Sequence, residues 1–148
     1  MNVTLGPATR RDVQPIARIL GGWAAETAWI PARDTPDPHR DDARLLLDRT
    51  EVTVARHRRR AIGFIALNNG AVQSLYLATA MRGLGIGRLL LDHAKSRHSR
   101  LELWTYQANA RARRFYARHG FYENRLSNGE GNDQKLPDVH MVWARSIA

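Results

Sequence analysis

The sequence predicts a single α+β domain, with a mixed, mostly antiparallel sheet of about six to seven strands and about four flanking helices. The chain of 148 residues is the length of one domain. Hydrophobic residues make up 43% and charged residues 25%, close to the globular average. Three consecutive segments have strand character, and segments of helical periodicity lie on either side. No repeat or break in composition divides residues 1–148.

In the first quarter of the chain, the sequence predicts a short strand at 3–5 and then a helix. Thr9 and Asp12 have the spacing of a capping box, and apolar residues follow Val13 at helical intervals. Gly21-Gly22 is expected to end this helix. The next segment is then predicted to be a loop that carries Trp23, Glu26 and Trp29.

The middle of the chain predicts a second helix and an antiparallel meander. Asp37-Pro38 is a cap followed by proline at the first helical position. Strands are predicted at 51–55, 62–67 and 72–77, joined by a basic turn at 58–60 and by Asn69-Gly70.

The last third predicts two more helices and three more strands. One helix begins within the glycines near Ile86, and another runs through 112–119 to Gly120. Strands are predicted at 101–105 and near 121–126 and 139–145.

Composition narrows the function classes. The chain has no cysteine and no HExxH spacing among its six histidines, so no metal site is expected. No apolar run is long enough to span a membrane, and no secretory signal is recognised, which predicts a cytoplasmic protein. The formal charge of +9 suits nucleic acid, anionic lipid or a polyphosphate ligand.

Residues 82–87, Arg-Gly-Leu-Gly-Ile-Gly, predict an anion site. They stand between a strand and a helix N-terminus, where glycines allow close backbone approach and free N–H groups favour phosphate. A Rossmann motif would need glycine at Arg88, and a Walker loop would need a Gly-Lys pair, which the chain lacks. Neither motif fits.

The same hexamer matches the pattern R/Q-x-x-G-x-G/A, and here the chain resembles the GNAT superfamily of N-acetyltransferases, in its small bacterial form. Residues 75–77 stand where that family has the strand that contacts the pantetheine arm. Asn109 and residues 115–121 resemble the family's N-x(5)-FY-xxx-GF segment. The resemblance covers nearly the whole chain.

The resemblance implies an acyltransferase that uses acetyl-CoA and moves the acetyl group directly to a primary amine. Without cysteine or a GxSxG serine elbow, direct attack is also the economical route. Tyr116 matches the family's proton donor to the CoA sulfur, although it also suits a core aromatic. The implied coenzyme-binding residues are Leu75, Tyr76, Leu77, Arg82, Gly83, Leu84, Gly85, Ile86, Gly87, Arg88, Asn109 and Tyr116.

The general base and the acceptor pocket are less defined. Some members of the family carry a glutamate where this chain has Trp104, and Glu102 shares that strand face. Glu26 is the other candidate base, and a water chain without a dedicated base is a third route. Trp23, Glu26, Trp29 and Trp104, with Tyr106, are the candidate acceptor residues, because aromatic faces favour a cationic or flat amine.

Several acceptors and two other function classes stay open. A small-molecule amine or amino acid is favoured over a protein N-terminus or lysine. A basic nucleic-acid-binding module is a competing class, but no helix-turn-helix, zinc finger or RNP-like strand supports it. A non-catalytic CoA-binding sensor is the other competitor. A homodimer through the last strands is compatible with the sequence.

Overall fold

The computed structural model describes residues 1–33 and 35–146, which form one seven-stranded sheet and four α-helices. The predicted α+β fold is confirmed. The strands are β1 Thr4–Pro7, β2 Glu51–His57, β3 Arg60–Asn68, β4 Ala71–Leu77, β5 Arg100–Tyr106, β6 Tyr122–Ser127 and β7 Asp138–Ala144. The helices are α1 Val13–Glu26, α2 Pro38–Arg49, α3 Ile86–Arg97 and α4 Ala110–Arg118.

The sheet has the order β1-β2-β3-β4-β5-β7-β6, and β4 and β5 are its parallel pair among the described strands. These two strands pair at Ala71 opposite Glu102, supported by a hydrogen bond from the Glu102 N–H to the Gly70 carbonyl oxygen. No further pair joins them, so they separate toward Leu77 and Tyr106. The separation opens a cleft in the middle of the sheet.

Two tight hairpins build the meander predicted for the middle of the chain. Arg58 and Arg59 connect β2 to β3 with φ of 51° and 67°. Asn69 and Gly70 connect β3 to β4 with φ of 49° and 87°. Two-residue turns with positive φ at both positions match the right-handed twist of the flanking strands.

Helices cover both faces of the sheet. On one face α1 and α2 bury Ile16, Leu20 and Ala43 against Phe64 and other residues of β2 and β3. On the opposite face α3 and α4 pack against a second apolar cluster, which includes Ile65, Leu90, Leu103, Tyr116 and Met141. Burying this apolar surface on both sides fixes the register of the central strands.

The predicted end of the first helix is wrong. Helix α1 continues through Gly21-Gly22 to Glu26, so Trp23 and Glu26 lie on a helix rather than in a loop. A Cβ atom on Gly21 would lie 3.2 Å from the His39 ring of α2. The missing side chain therefore lets α1 and α2 approach closely, and it does not stop the helix.

The two capping motifs predicted for the starts of α1 and α2 are confirmed, the first with a small difference. The Thr9 N–H donates to Asp12 Oδ2 at 2.8 Å, but a 3₁₀ turn at residues 10–12 precedes α1. Asp37 caps α2, with its Oδ1 accepting from the Arg40 N–H at 3.1 Å.

Candidate active site

The glycine loop joins β4 to α3 in a conformation that other residues rarely adopt. Gly83 has φ of 77° and Gly85 has φ of 82°, and a Cβ on either would meet no atom within 4 Å. The space beside both glycines is therefore open. Gly87 has a different role, because a Cβ there would lie 3.2 Å from the Phe115 ring. Its small size lets α3 approach α4.

Backbone donors are free at the start of α3. The N–H of Leu89 makes the first hydrogen bond of this helix, to the Gly85 carbonyl oxygen at 3.1 Å. The N–H groups of residues 86–88 therefore have no acceptor within the helix. Together with the positive end of the helix dipole, they could hold an anion such as the phosphate groups of a coenzyme.

The two arginines beside the glycines differ in their surroundings. Both guanidinium Nη atoms of Arg82 donate to Glu26, at 2.8 Å and 2.7 Å. Arg88 is 71% exposed and lies 3.6 Å from Asp92. Arg82 is thus fixed at the loop by the end of α1, whereas the Arg88 side chain is exposed to solvent.

Strand β4 presents different side chains to the two faces of the sheet. Leu75 and Leu77 pack with the α3 cluster, and Tyr76 packs with the α1 and α2 cluster. Strand periodicity accounts for this split. The Tyr76 ring lies 5.3 Å from Trp23, between ring centroids, so it belongs to the aromatic group described below.

Tyr116 is buried on α4, and its ring contacts Phe115 and Phe121. Burial, and then the neighbouring Tyr76, raise the pKa of its phenol above the usual value, so it stays protonated at neutral pH. No described residue forms a hydrogen bond with its hydroxyl. Asn109 caps the same helix, with its Oδ1 accepting from the Ala112 N–H at 3.1 Å.

Both candidate bases, Glu26 and Glu102, form ion pairs with arginines. Hydrogen bonds from Arg82 are the main cause that lowers the pKa of Glu26, and the Thr79 hydroxyl also donates to it. Hydrogen bonds from Arg100 and then His140 lower the pKa of Glu102. A carboxylate with a lowered pKa is a weak proton acceptor.

Three of the predicted acceptor aromatics lie together, and one lies apart. The centroid of the Trp29 ring is 6.0 Å from that of Trp23 and 5.4 Å from that of Tyr106. Trp104 instead lies against His140, at 5.0 Å, with Arg125 over its ring at 5.2 Å. The order of the last strands explains this, because β7 places His140 directly opposite Trp104.

A cavity of about 1070 Å³ lies beside this aromatic group. Its lining includes Trp23, Tyr76 and Tyr106, together with Asp42 and Asp133. Burial raises the pKa of Tyr76 to about 12, with Tyr106 and Asp42 adding to the effect. Sequence reasoning did not find Tyr76 as a lining residue of this pocket or the two aspartates, although alternation along β4 could have indicated the tyrosine.

Within 1–33 and 35–146, no cluster of three or more His, Asp or Glu side chains could hold a metal ion. In the same ranges, no helix has the length and apolar character to cross a membrane.

Comparison with known proteins identifies the family to which the chain belongs. The model of the acetyltransferase (GNAT) domain matches residues 48–123, which include the meander, the glycine loop and α4. The chain belongs to the GNAT acetyltransferase family, a family of acyltransferases that use acetyl-CoA.

Particular relatives support this assignment. The peptidyl-lysine N-acetyltransferase YjaB of Escherichia coli (strain K12) is 32% identical over 82 residues, which are 55% of this chain and 56% of that protein. The match therefore spans little more than half of that relative's length. The solution structure of apo YjaB from E. coli covers 99% of this chain and 100% of its own, with a TM-score of 0.80 and 20% identity. YncA from Salmonella typhimurium, solved with its cofactor acetyl-CoA, has a TM-score of 0.73 and 20% identity, and covers 100% of this chain and 96% of its own.

Proposed function

We propose that this protein transfers the acetyl group of acetyl-CoA to a primary amine of a small molecule. The observation that carries the proposal is the cleft between β4 and β5, which has the glycine loop at its open end. The buried Tyr116 lies in the helix layer on one side of the sheet, and the aromatic cavity with Tyr76 lies on the other. A cofactor arm in this cleft would meet an amine from the opposite face.

The glycine loop and β4 would bind the coenzyme. The free N–H groups at 86–88 and the helix dipole would hold its pyrophosphate, and the β4 backbone at Leu75–Leu77 would hold its arm. A backbone N–H near Leu77 would stabilise the oxyanion that develops on the acetyl group. Acetyl-CoA supplies the thioester whose carbonyl carbon accepts the amine nitrogen.

Tyr116 would protonate the leaving group. As the C–N bond forms and the C–S bond breaks, the sulfur gains negative charge and needs a proton. The raised pKa of the Tyr116 phenol keeps that proton available at neutral pH. Solvent then restores the proton to the phenol.

Proton removal from the amine is assigned to water in the acceptor cavity. Glu102 and Glu26 are the candidate bases among the side chains, but each accepts hydrogen bonds from an arginine. Their lowered pKa values favour the water route, because a base that operates near pH 7 works best with a pKa near 7.

The acceptor pocket favours a cationic amine. Aromatic rings attract cations over their faces, and they carry this preference. The two aspartates of the lining are balanced by Arg33 and Arg49, and Asp42 is ion-paired with Arg33. A lysine side chain of a protein is the second candidate acceptor. It is supported by the name of the E. coli relative, a peptidyl-lysine N-acetyltransferase.

The first test is calorimetric titration of acetyl-CoA into the wild type and a Gly85→Asp variant. Micromolar binding that the variant loses would support the coenzyme site, because a carboxylate at the loop repels phosphate. No binding to the wild type would refute the proposal.

An acceptor screen then separates the two substrates, with the released thiol detected on a panel of small amines and on lysine-containing peptides. We expect Trp23→Ala to raise the KM for the amine and to leave that for acetyl-CoA unchanged. Turnover on the peptides alone would refute the small-molecule assignment and support protein lysine.

A further inference from the structure

A second cavity, of about 770 Å³, lies away from the acceptor pocket. It is bordered by the start of α1, the β2–β3 hairpin and the residues that follow β4. We name it the arginine groove after five of its lining residues, Arg11, Arg18, Arg56, Arg59 and Arg60. Its volume lies in the range of small-molecule sites.

The groove concentrates the positive charge of the chain. Asp12 is its acidic lining residue among the described ones, so five arginines against one aspartate give a net charge of +4, compared with +9 for the whole chain. Both Asp12 oxygens accept from Arg56, at 2.8 Å each. That pair is therefore internally neutralised.

Within the described residues, the other four groove arginines, Arg11, Arg18, Arg59 and Arg60, make no ion pair. Some arginines outside the groove, such as Arg40 and Arg44, also make none in the same part of the chain, so the groove differs in gathering four of them around one cavity. Unpaired guanidinium groups around one concave surface create a focused positive potential. Planar guanidinium groups also match phosphate oxygens in a bidentate geometry.

The floor of the groove is apolar. The lining contains Pro15, Ile19, Ile62 and Met81, together with several alanines, and Ile19 and Ile62 are buried. A ligand that combines phosphate groups with a flat apolar part would use both the floor and the rim. A simple inorganic anion would use the rim alone.

The groove is separate from the coenzyme loop. It ends at Met81, and the loop begins at Arg82, whose guanidinium is turned toward Glu26 on α1. The Thr79 hydroxyl donates to the same carboxylate at 3.2 Å. The Thr79–Glu26–Arg82 group therefore borders the groove at Thr79 and the coenzyme loop at Arg82.

From these observations we infer that the arginine groove is a second anion site, which binds a small molecule with several phosphate charges and an apolar part. It is independent of the acetyl-transfer proposal. Neither site uses the lining arginines of the other.

The test is calorimetric titration of ATP and of inorganic triphosphate at 150 mM salt, into protein saturated with acetyl-CoA and into protein without it. We expect one saturable site for ATP that persists with acetyl-CoA bound, and weaker binding of triphosphate. Arg18→Gln/Arg59→Gln should weaken ATP binding about tenfold or more. The matched double variant Arg40→Gln/Arg44→Gln on α2 removes the same charge and should change the affinity by less than about twofold.

Five results would overturn the inference. Absence of saturable ATP binding, or an equal loss in both double variants, would reduce the groove to general positive charge. Competition by acetyl-CoA would place ATP in the coenzyme site, and binding of duplex DNA without ATP binding would point to nucleic acid. Equal affinities for ATP and triphosphate would overturn the role of the apolar floor. Retained acetyl-CoA binding in the Arg18→Gln/Arg59→Gln variant separates these outcomes from failure of the acetyltransferase site.

Discussion

Gly85→Ala tests both the conformation of the glycine loop and its role. Gly85 has φ of 82°, which costs a residue with a Cβ roughly 1–2 kcal/mol. No atom lies within 4 Å of the added Cβ, so no steric overlap adds to this figure. For a chain of this length, a loss of about 1–2 kcal/mol in the free energy of unfolding lowers Tm by about 3–6 °C. The methyl group also projects into the open space beside the loop, so we expect acetyl-CoA binding to weaken about tenfold.

Thermal unfolding followed by circular dichroism, with calorimetry for binding, measures both effects. Gly6→Ala is the matched control, because it also adds a Cβ with no atom within 4 Å but at a residue without positive φ. Its effect on unfolding should stay within about 0.5 kcal/mol. A Gly85→Ala variant as stable as the wild type would refute the left-handed conformation, and a destabilised variant with full affinity would refute the loop as the phosphate cradle.

Three other substitutions test the remaining parts of the site and fold. We expect Tyr116→Phe to lower kcat by about 100-fold with little change in Tm, because no described residue hydrogen-bonds the hydroxyl. Tyr122→Phe on the exposed β6 is the control and should leave kcat unchanged. A kcat of Tyr116→Phe equal to that of the wild type would exclude the phenol as proton donor. We expect Glu26→Gln to raise the KM for acetyl-CoA, because Arg82 loses its charged partner, and to keep the pH profile of kcat. Loss of the acidic limb of that profile would instead identify Glu26 as the base, because a base must be deprotonated to act. Burial raises the pKa of Asp12, but hydrogen bonds, chiefly from Arg56, lower it more, so the pKa lies below its usual value. The contribution of Asp12 to the free energy of unfolding is therefore present above about pH 4 and is lost as the pH falls further. Asp12→Asn should therefore destabilise the protein by about 2 kcal/mol at pH 7 in denaturant titrations, and a difference that persists undiminished at pH 2 would contradict the ion-pair explanation.

Local patterns predicted most of the fold because its elements follow local rules. The Asn69-Gly70 turn, the Asp37-Pro38 cap and the alternating strands each depend on neighbours in the chain. Gly21-Gly22 misled the prediction because its cause is tertiary. Gly21 makes room for the His39 ring, and no local pattern at 21–22 contains information about α2.

The candidate site was predictable to a smaller extent. The glycine loop has a local motif, and the family model includes it, so its position could be predicted from the chain. The acceptor pocket depends on which strands become neighbours. Insertion of β7 beside β5 pairs Trp104 with His140. Trp23 and Trp29 connect Tyr76 of β4 with Tyr106 of β5 in one aromatic group. Those relations join residues far apart in sequence.

The two hairpins of the meander have the same loop length, yet only one uses residues suited to its turn. Asn69-Gly70 tolerates positive φ readily, whereas Arg58 and Arg59 adopt it at about 1 kcal/mol each. Replacing Arg58-Arg59 by Asn-Gly, as in the β3–β4 turn, is therefore expected to raise the Tm of the protein. The same replacement removes Arg59 from the groove, so a more stable protein would be a poorer binder of phosphate compounds there. A higher Tm and a more positive groove therefore require different residues at positions 58–59.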